Sequence, residues 1–134
     1  MIALALYGTY IIFILLPAHS PRFVFYTDVN LEGGWIAQAI NRFLIRASYP
    51  GGAFPSGHAA VSIAICIFMW RYARIWAVPI IFVTLLLLLA TVYSGYHYVV
   101  DIIAGFLYGA AASYATVAWN RKHRNSRAMT PAEQ

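Results

Sequence analysis

The sequence predicts an all-α, polytopic membrane bundle of about four transmembrane helices, with one further amphipathic helix lying in the interface. Three observations carry that expectation. Of 134 residues, 62% are hydrophobic and 10% charged, more apolar surface than a soluble core of this length absorbs. The apolar residues gather in four runs, Ile2 to Leu16, Ser56 to Trp70, Ile75 to Tyr93 and Tyr98 to Trp119. The basic residues flank those runs instead of interrupting them.

Taken in order, Ile2 to Leu16 falls a little short of the roughly 20 residues a span needs, which implies tilt, a thinned contact or a chain that is a fragment of a longer protein. It lacks a basic leader and a small-residue cleavage site, so it is expected to be retained. Pro17 to Asn30, punctuated by Pro17, Pro21, Asp28 and Asn30, reads as an irregular interfacial loop. From Glu32 to Ala47, Trp35, Ile36, Ala39, Ile40, Phe43 and Leu44 recur at helical spacing, with Gln38, Asn41 and Arg42 opposite. That pattern predicts an amphipathic helix in the interface.

Pro55 ends the next segment and Ser56 is a favourable N-cap for the second span, which closes at Arg71 to Arg74. Ile75 to Tyr93 is long enough to cross, and Pro79 lies close enough to its start to be tolerated. Ser94-Gly95 turns the chain into the fourth span, where Gly105 and Gly109 form a Gly-x-x-x-Gly pair suited to close helix packing. Two parts follow: a membrane-embedded bundle over residues 1–119 and a basic polar tail over 120–134, expected to be disordered.

Charge sets the orientation. Arg71, Arg74, Arg121, Lys122, Arg124 and Arg127 fall on one side of the four-helix arrangement, and Arg22, Arg42 and Arg46 on the other. The richer side is cytoplasmic by the positive-inside rule, so His58 and His97 face the extracytoplasmic side of the cell membrane at head-group depth. The net charge of +5 forms no aromatic-interleaved nucleic-acid face; lipid head groups are the expected anionic partner. The single cysteine, Cys66, excludes an intrachain disulfide. No clustered carboxylates suggest a magnesium site, and no Gly-rich nucleotide loop is present.

Two polar interruptions carry the chemistry, Ala53-Phe54-Pro55-Ser56-Gly57-His58 and the stretch from Tyr93 to Asp101. His97 and Asp101 are four apart, so on a helix they share a face. A carboxylate there fixes one imidazole nitrogen and leaves the other as a nucleophile or base. His58 stands in the first turn of a helix whose N-terminal N–H groups suit a phosphate.

Pro55-Ser56-Gly57-His58, and His97 followed by Asp101, resemble the second and third signature motifs of the phosphatidic acid phosphatase type 2 superfamily of membrane lipid phosphatases and phosphotransferases. The wider context, Gly52 to His58 with Tyr93, His97-Tyr98 and Asp101, is more similar to the inositol phosphorylceramide synthase-like branch. The resemblance covers Pro17 to Gly109. It departs from the common pattern at Leu15, where the first motif has Lys, and at Ala90 and Thr91, where the third has Ser-Arg; of the first motif only Arg22 carries over.

The resemblance implies a metal-independent reaction without cofactor on a lipid phosphate of phosphatidate, isoprenyl phosphate or inositol-phospholipid type. In it His97 forms a phosphohistidine, Asp101 orients His97, and His58 protonates the departing alcohol. Arg22, Ser56 and the Gly57 N–H hold the phosphate oxygens. Two other readings stand beside it: a non-enzymatic haem or metal carrier using His58 and His97 as ligands, and a catalytically degenerate family member. The lipid, the acceptor and the oligomeric state, a homo-oligomer included, are left open by the sequence.

Overall fold

The computed structural model describes residues 1–25, 34–47 and 51–128. Within these the chain forms six helices and no strand: α1 (Ile2–Leu15), α2 (Pro21–Phe25), α3 (Trp35–Ala47), α4 (Gly57–Tyr72), α5 (Arg74–Tyr93) and α6 (Val99–Ala128).

The local signals act where the sequence places them. Ser56 is extended at the N-cap of α4 and its Oγ accepts the Ala59 N–H at 3.3 Å. Ala73 alone separates α4 from α5, and Ser94 and Gly95 end α5, with Gly95 at φ +72. Two differences from the sequence reading have local causes. The loop after α1 contains the short helix α2, because Pro21 has its φ preset for a first helical position and the Ser20 carbonyl accepts the Phe23 N–H at 3.0 Å. The last helix continues past Trp119 to Ala128, since residues 120–128 contain good helix formers and neither Gly nor Pro. Residues 26–33, including part of the expected loop and the start of the amphipathic segment, lie outside the described residues, as do 129–134 of the tail.

The bundle is organised on α4, against which α1, α5 and α6 all pack, with α1 also touching α6. Its interior is built from small side chains: Ala5 and Thr9 of α1, Ala59, Ala60, Ser62 and Ala64 of α4, and Ala112 and Ser113 of α6. Gly105 and Gly109 are what let α6 approach so closely. A Cβ at Gly105 would overlap the Ser56 carbonyl oxygen, and one at Gly109 the Ala60 carbonyl oxygen. On α1, Gly8 faces the ring of Tyr108, whose hydroxyl donates to the Leu4 carbonyl at 3.0 Å.

The large apolar side chains point outward instead. Ile75, Phe82, Leu85, Leu86 and Leu89 of α5 and Ile103 and Leu107 of α6 are exposed. Small residues inside with large apolar ones outside is the reverse of a water-soluble core and suits a bundle solvated by lipid. By length and composition α5 and α6 are able to cross a membrane, while α1 and α4 are shorter apolar helices. The amphipathic helix α3 exposes Trp35, Ile36, Ile40 and Phe43.

Candidate active site

The close approach of α6 to α4 brings the two polar interruptions together at one end of the bundle. The Ser56 N–H donates to the Asp101 carbonyl at 2.9 Å, tying the start of α4 to the first turn of α6. The Ala53 N–H donates to Ala18 O at 3.1 Å and the Arg22 N–H to Gly95 O at 2.9 Å, so the loops after α1, before α4 and after α5 are bonded to one another. Gly95 is required at that point, because its backbone is in the left-handed region and it packs against Arg22.

The two histidines meet directly. His58 Nδ1 and His97 Nε2 are 3.2 Å apart, and the rings meet edge to face at 5.4 Å between centroids. His97 is 6% exposed, whereas His58 stands at the open side. His97 Nδ1 lies 2.9 Å from the Ala53 carbonyl oxygen, which can only accept. Nδ1 therefore carries the proton, and Nε2 of the neutral ring presents its lone pair to His58. Burial, reinforced by the neighbouring His58 and opposed by the Ala53 carbonyl, holds the His97 pKa down to about 4 against an ordinary 6.5. The ring is neutral at physiological pH.

Asp101 occupies a different position from the one the four-residue spacing suggests. His97 precedes α6, so the two side chains do not share a helical face. The Asp101 Oδ2 accepts the Tyr98 N–H at 2.8 Å and stands 3.9 Å from His97 Nδ1, within ion-pair range but beyond a hydrogen bond. The atom that fixes the His97 tautomer is thus the Ala53 carbonyl. Asp101, 3% exposed, caps α6 and supplies negative charge next to the ring.

Beside the histidines opens a cavity of about 680 Å³ lined by Gly57, His58 and His97 and by Ser20, Gly52, Ala53 and Tyr96. It continues down the bundle between Leu6, Thr9, Tyr10 and Phe13 of α1, Val61 and Ser62 of α4, and Leu87 of α5. The polar end meets the loops and the apolar end follows the helices. Of the other expected site residues, Gly57 lines this cavity, while Ser56 is fully buried as a helix cap. Arg22 is buried one layer away. Its guanidinium donates to the Ser94 carbonyl at 3.2 Å and lies 5.9 Å from the Tyr96 ring centre, so it borders the cavity through Tyr96.

Residues the sequence did not single out are Ala53, which acts through its backbone, and Ser20, Thr9, Tyr10 and Tyr96 on the cavity wall. Tyr96 was signalled by its place next to His97; a backbone carbonyl leaves no such trace. Among the described residues, no group of three or more His, Cys, Asp or Glu side chains is arranged to hold a metal ion.

The described residues form an all-helical bundle, two of whose helices are long and apolar enough to cross a membrane, with a paired-histidine centre beside a largely apolar cleft. The chain belongs to the PAP2 superfamily, whose family model its residues 1–116 match. It is 33% identical over 97 residues to a PA-phosphatase related-family protein of Dictyostelium discoideum, a match taking in 68% of this chain and 18% of that protein. The chain thus spans less than a fifth of that relative's length. No solved structure matches it. Membership points to phosphatase-type chemistry and to association with a membrane.

Proposed function

We propose that this protein is an integral membrane lipid phosphatase or phosphotransferase that works through a phosphohistidine on His97. The observation that carries the reading is the 3.2 Å contact between His58 and His97 at the polar end of a cavity whose remainder is mainly apolar. A phosphate ester seated there has its phosphorus between the two rings and its hydrocarbon chain along α1 and α4.

The steps follow from the proton positions. His97 Nε2 attacks phosphorus as the ester P–O bond breaks, while its Nδ1–H stays with the Ala53 carbonyl. His58 in its protonated form gives a proton to the departing alkoxide. The positive charge that develops on the His97 ring is balanced by Asp101 at 3.9 Å. Water, or an alcohol acceptor, then attacks phosphorus, loses its proton to His58 and breaks the P–N bond. The Gly57 N–H, in the first turn of α4, is assigned to the non-bridging oxygens, and Ser56 keeps that turn in place through the Ala59 N–H. Arg22 supports the site through Ser94 and Tyr96 and adds positive charge behind it. The scheme uses side chains and backbone alone, without cofactor.

In this reading α1, α4, α5 and α6 are the four spans, α3 lies in the outer interface, and the histidines face the extracytoplasmic side. The basic ends of α4 and α6 are cytoplasmic. The Gly52 to His58 context supports the inositol phosphorylceramide synthase-like branch, with water or an alcohol as the acceptor. Incubating the purified chain with phosphatidate, an isoprenyl phosphate and phosphatidylinositol, with and without an alcohol acceptor, tests this. Phosphate release or head-group transfer that is lost in His97→Ala supports the reading, and turnover unchanged by that substitution overturns it.

A further inference from the structure

A second cavity begins beside Ala59, next to His58, and runs along α4 to open at the end of the bundle away from the histidines. A groove of about 560 Å³ lies between α5 and α6, over α4, with Ile63, Ile67, Leu85, Leu88 and Phe106 among its walls. It runs along α4 from Ala59 to Trp70, about 16 Å at helical rise, which is close to one leaflet of a ~30 Å hydrocarbon core. Arg71 and Arg74 stand at its mouth, Arg74 over the Trp70 ring at 6.0 Å.

Arg71 also lines an adjoining cavity of about 400 Å³ whose wall is mainly polar and includes Asn120, Arg121 and Arg124. Apolar groove and basic chamber therefore meet at one side chain. Among the described residues the sole carboxylate side chain is Asp101, at the opposite end of the bundle.

We infer that this paired cavity binds an anionic phospholipid from the leaflet opposite the catalytic histidines. The phosphate is held among Arg71, Arg74 and Arg121, and one acyl chain lies in the groove between α5 and α6. Charge complementarity selects an anionic head group, and the leaflet-length apolar groove selects a lipid over a free phosphate. The inference rests on the membrane reading above and is independent of the phosphoryl chemistry. Its consequence is structural: α5 and α6 both pack on α4, and a chain wedged between them fills the space that separates them.

The test is native mass spectrometry of the full chain released from neutral detergent after equilibration with equal amounts of phosphatidylglycerol and phosphatidylcholine. Wild type is expected to retain phosphatidylglycerol about tenfold better. The preference should vanish in R71Q/R74Q, survive in the charge-conserving R71K/R74K, fall when Leu88→Trp fills the groove, and remain in His97→Ala. Excess inorganic phosphate should leave the lipid bound. Equal retention of the two lipids, retention unchanged in R71Q/R74Q, loss in His97→Ala, displacement by inorganic phosphate, or a second copy of the chain in place of lipid would each overturn the inference. Lipid retention in His97→Ala separates this site from the catalytic one.

Discussion

His58 Nδ1 is 3.2 Å from His97 Nε2, so the nitrogen suited to attack is hydrogen-bonded to the group suited to protonate the leaving oxygen. A phosphoryl group bound for transfer must part the two rings. His58, on the open side, is the one free to turn, whereas His97 is buried and bonded to Ala53.

If His58 serves the leaving group, its removal costs more for a poor leaving group than for a good one. His58→Ala is expected to lower kcat/KM about 10²–10⁴-fold on an alkyl lipid phosphate and far less on an aryl phosphate. Steady-state rates on the two substrates check this. Equal losses would assign His58 to binding instead.

Asp101 combines a cap and a charge, and two substitutions separate them. Asparagine still accepts the Tyr98 N–H, so Asp101→Asn should keep its melting temperature within a few degrees while turnover falls. Asp101→Ala should lose turnover and also about 1 kcal/mol of stability. Full activity in Asp101→Asn would show that the carboxylate acts only as a helix cap.

The small-residue contact between α4 and α6 positions everything else. Gly109→Val drives a side chain into the Ala60 carbonyl and is expected to cost about 1–3 kcal/mol or more. Gly57→Ala is the control for folding, because its new Cβ would meet Thr9 Oγ1 at 3.6 Å and Phe13 at 3.7 Å, ordinary contact distances. Thermal melts in one detergent rank the two.

The depressed His97 pKa fixes the sign of a pH effect. Between about pH 6.5 and 4 the unfolded chain binds a proton at this position that the folded chain does not, so stability rises with pH across that window. The contribution is complete above pH 6.5 and is lost as pH falls toward 4, on the order of 3 kcal/mol. Wild type should therefore lose more melting temperature than His97→Gln between pH 7.5 and 4.5. The same shift places the His97-dependent acid limb of kcat/KM near pH 4, well below an ordinary histidine.

Much of this arrangement was legible in the sequence. The runs that became α1, α4, α5 and α6 announce themselves by uninterrupted apolar length, Ser56 by its capping chemistry, and Gly105 and Gly109 by their spacing on one helical face. The pairing of His58 with His97 was legible only as a resemblance between motifs, since 39 residues separate them. What stayed hidden was decided by backbone atoms. The Ala53 carbonyl took the role expected of Asp101, and Asp101 turned to the Tyr98 N–H because α6 begins after His97. Arg22 was drawn to the Ser94 carbonyl by the bond between its own N–H and Gly95, a loop-to-loop contact with no sequence periodicity.

The most direct test of the central claim is to quench the chain during turnover of a lipid phosphate and locate any phosphoryl group by peptide mass spectrometry. The mechanism predicts an acid-labile, base-stable phosphoryl group on His97 of the wild-type chain, accumulating in a variant slowed in the water step and absent from His97→Ala. Turnover with no label on His97, or label that persists on another residue in His97→Ala, would contradict it.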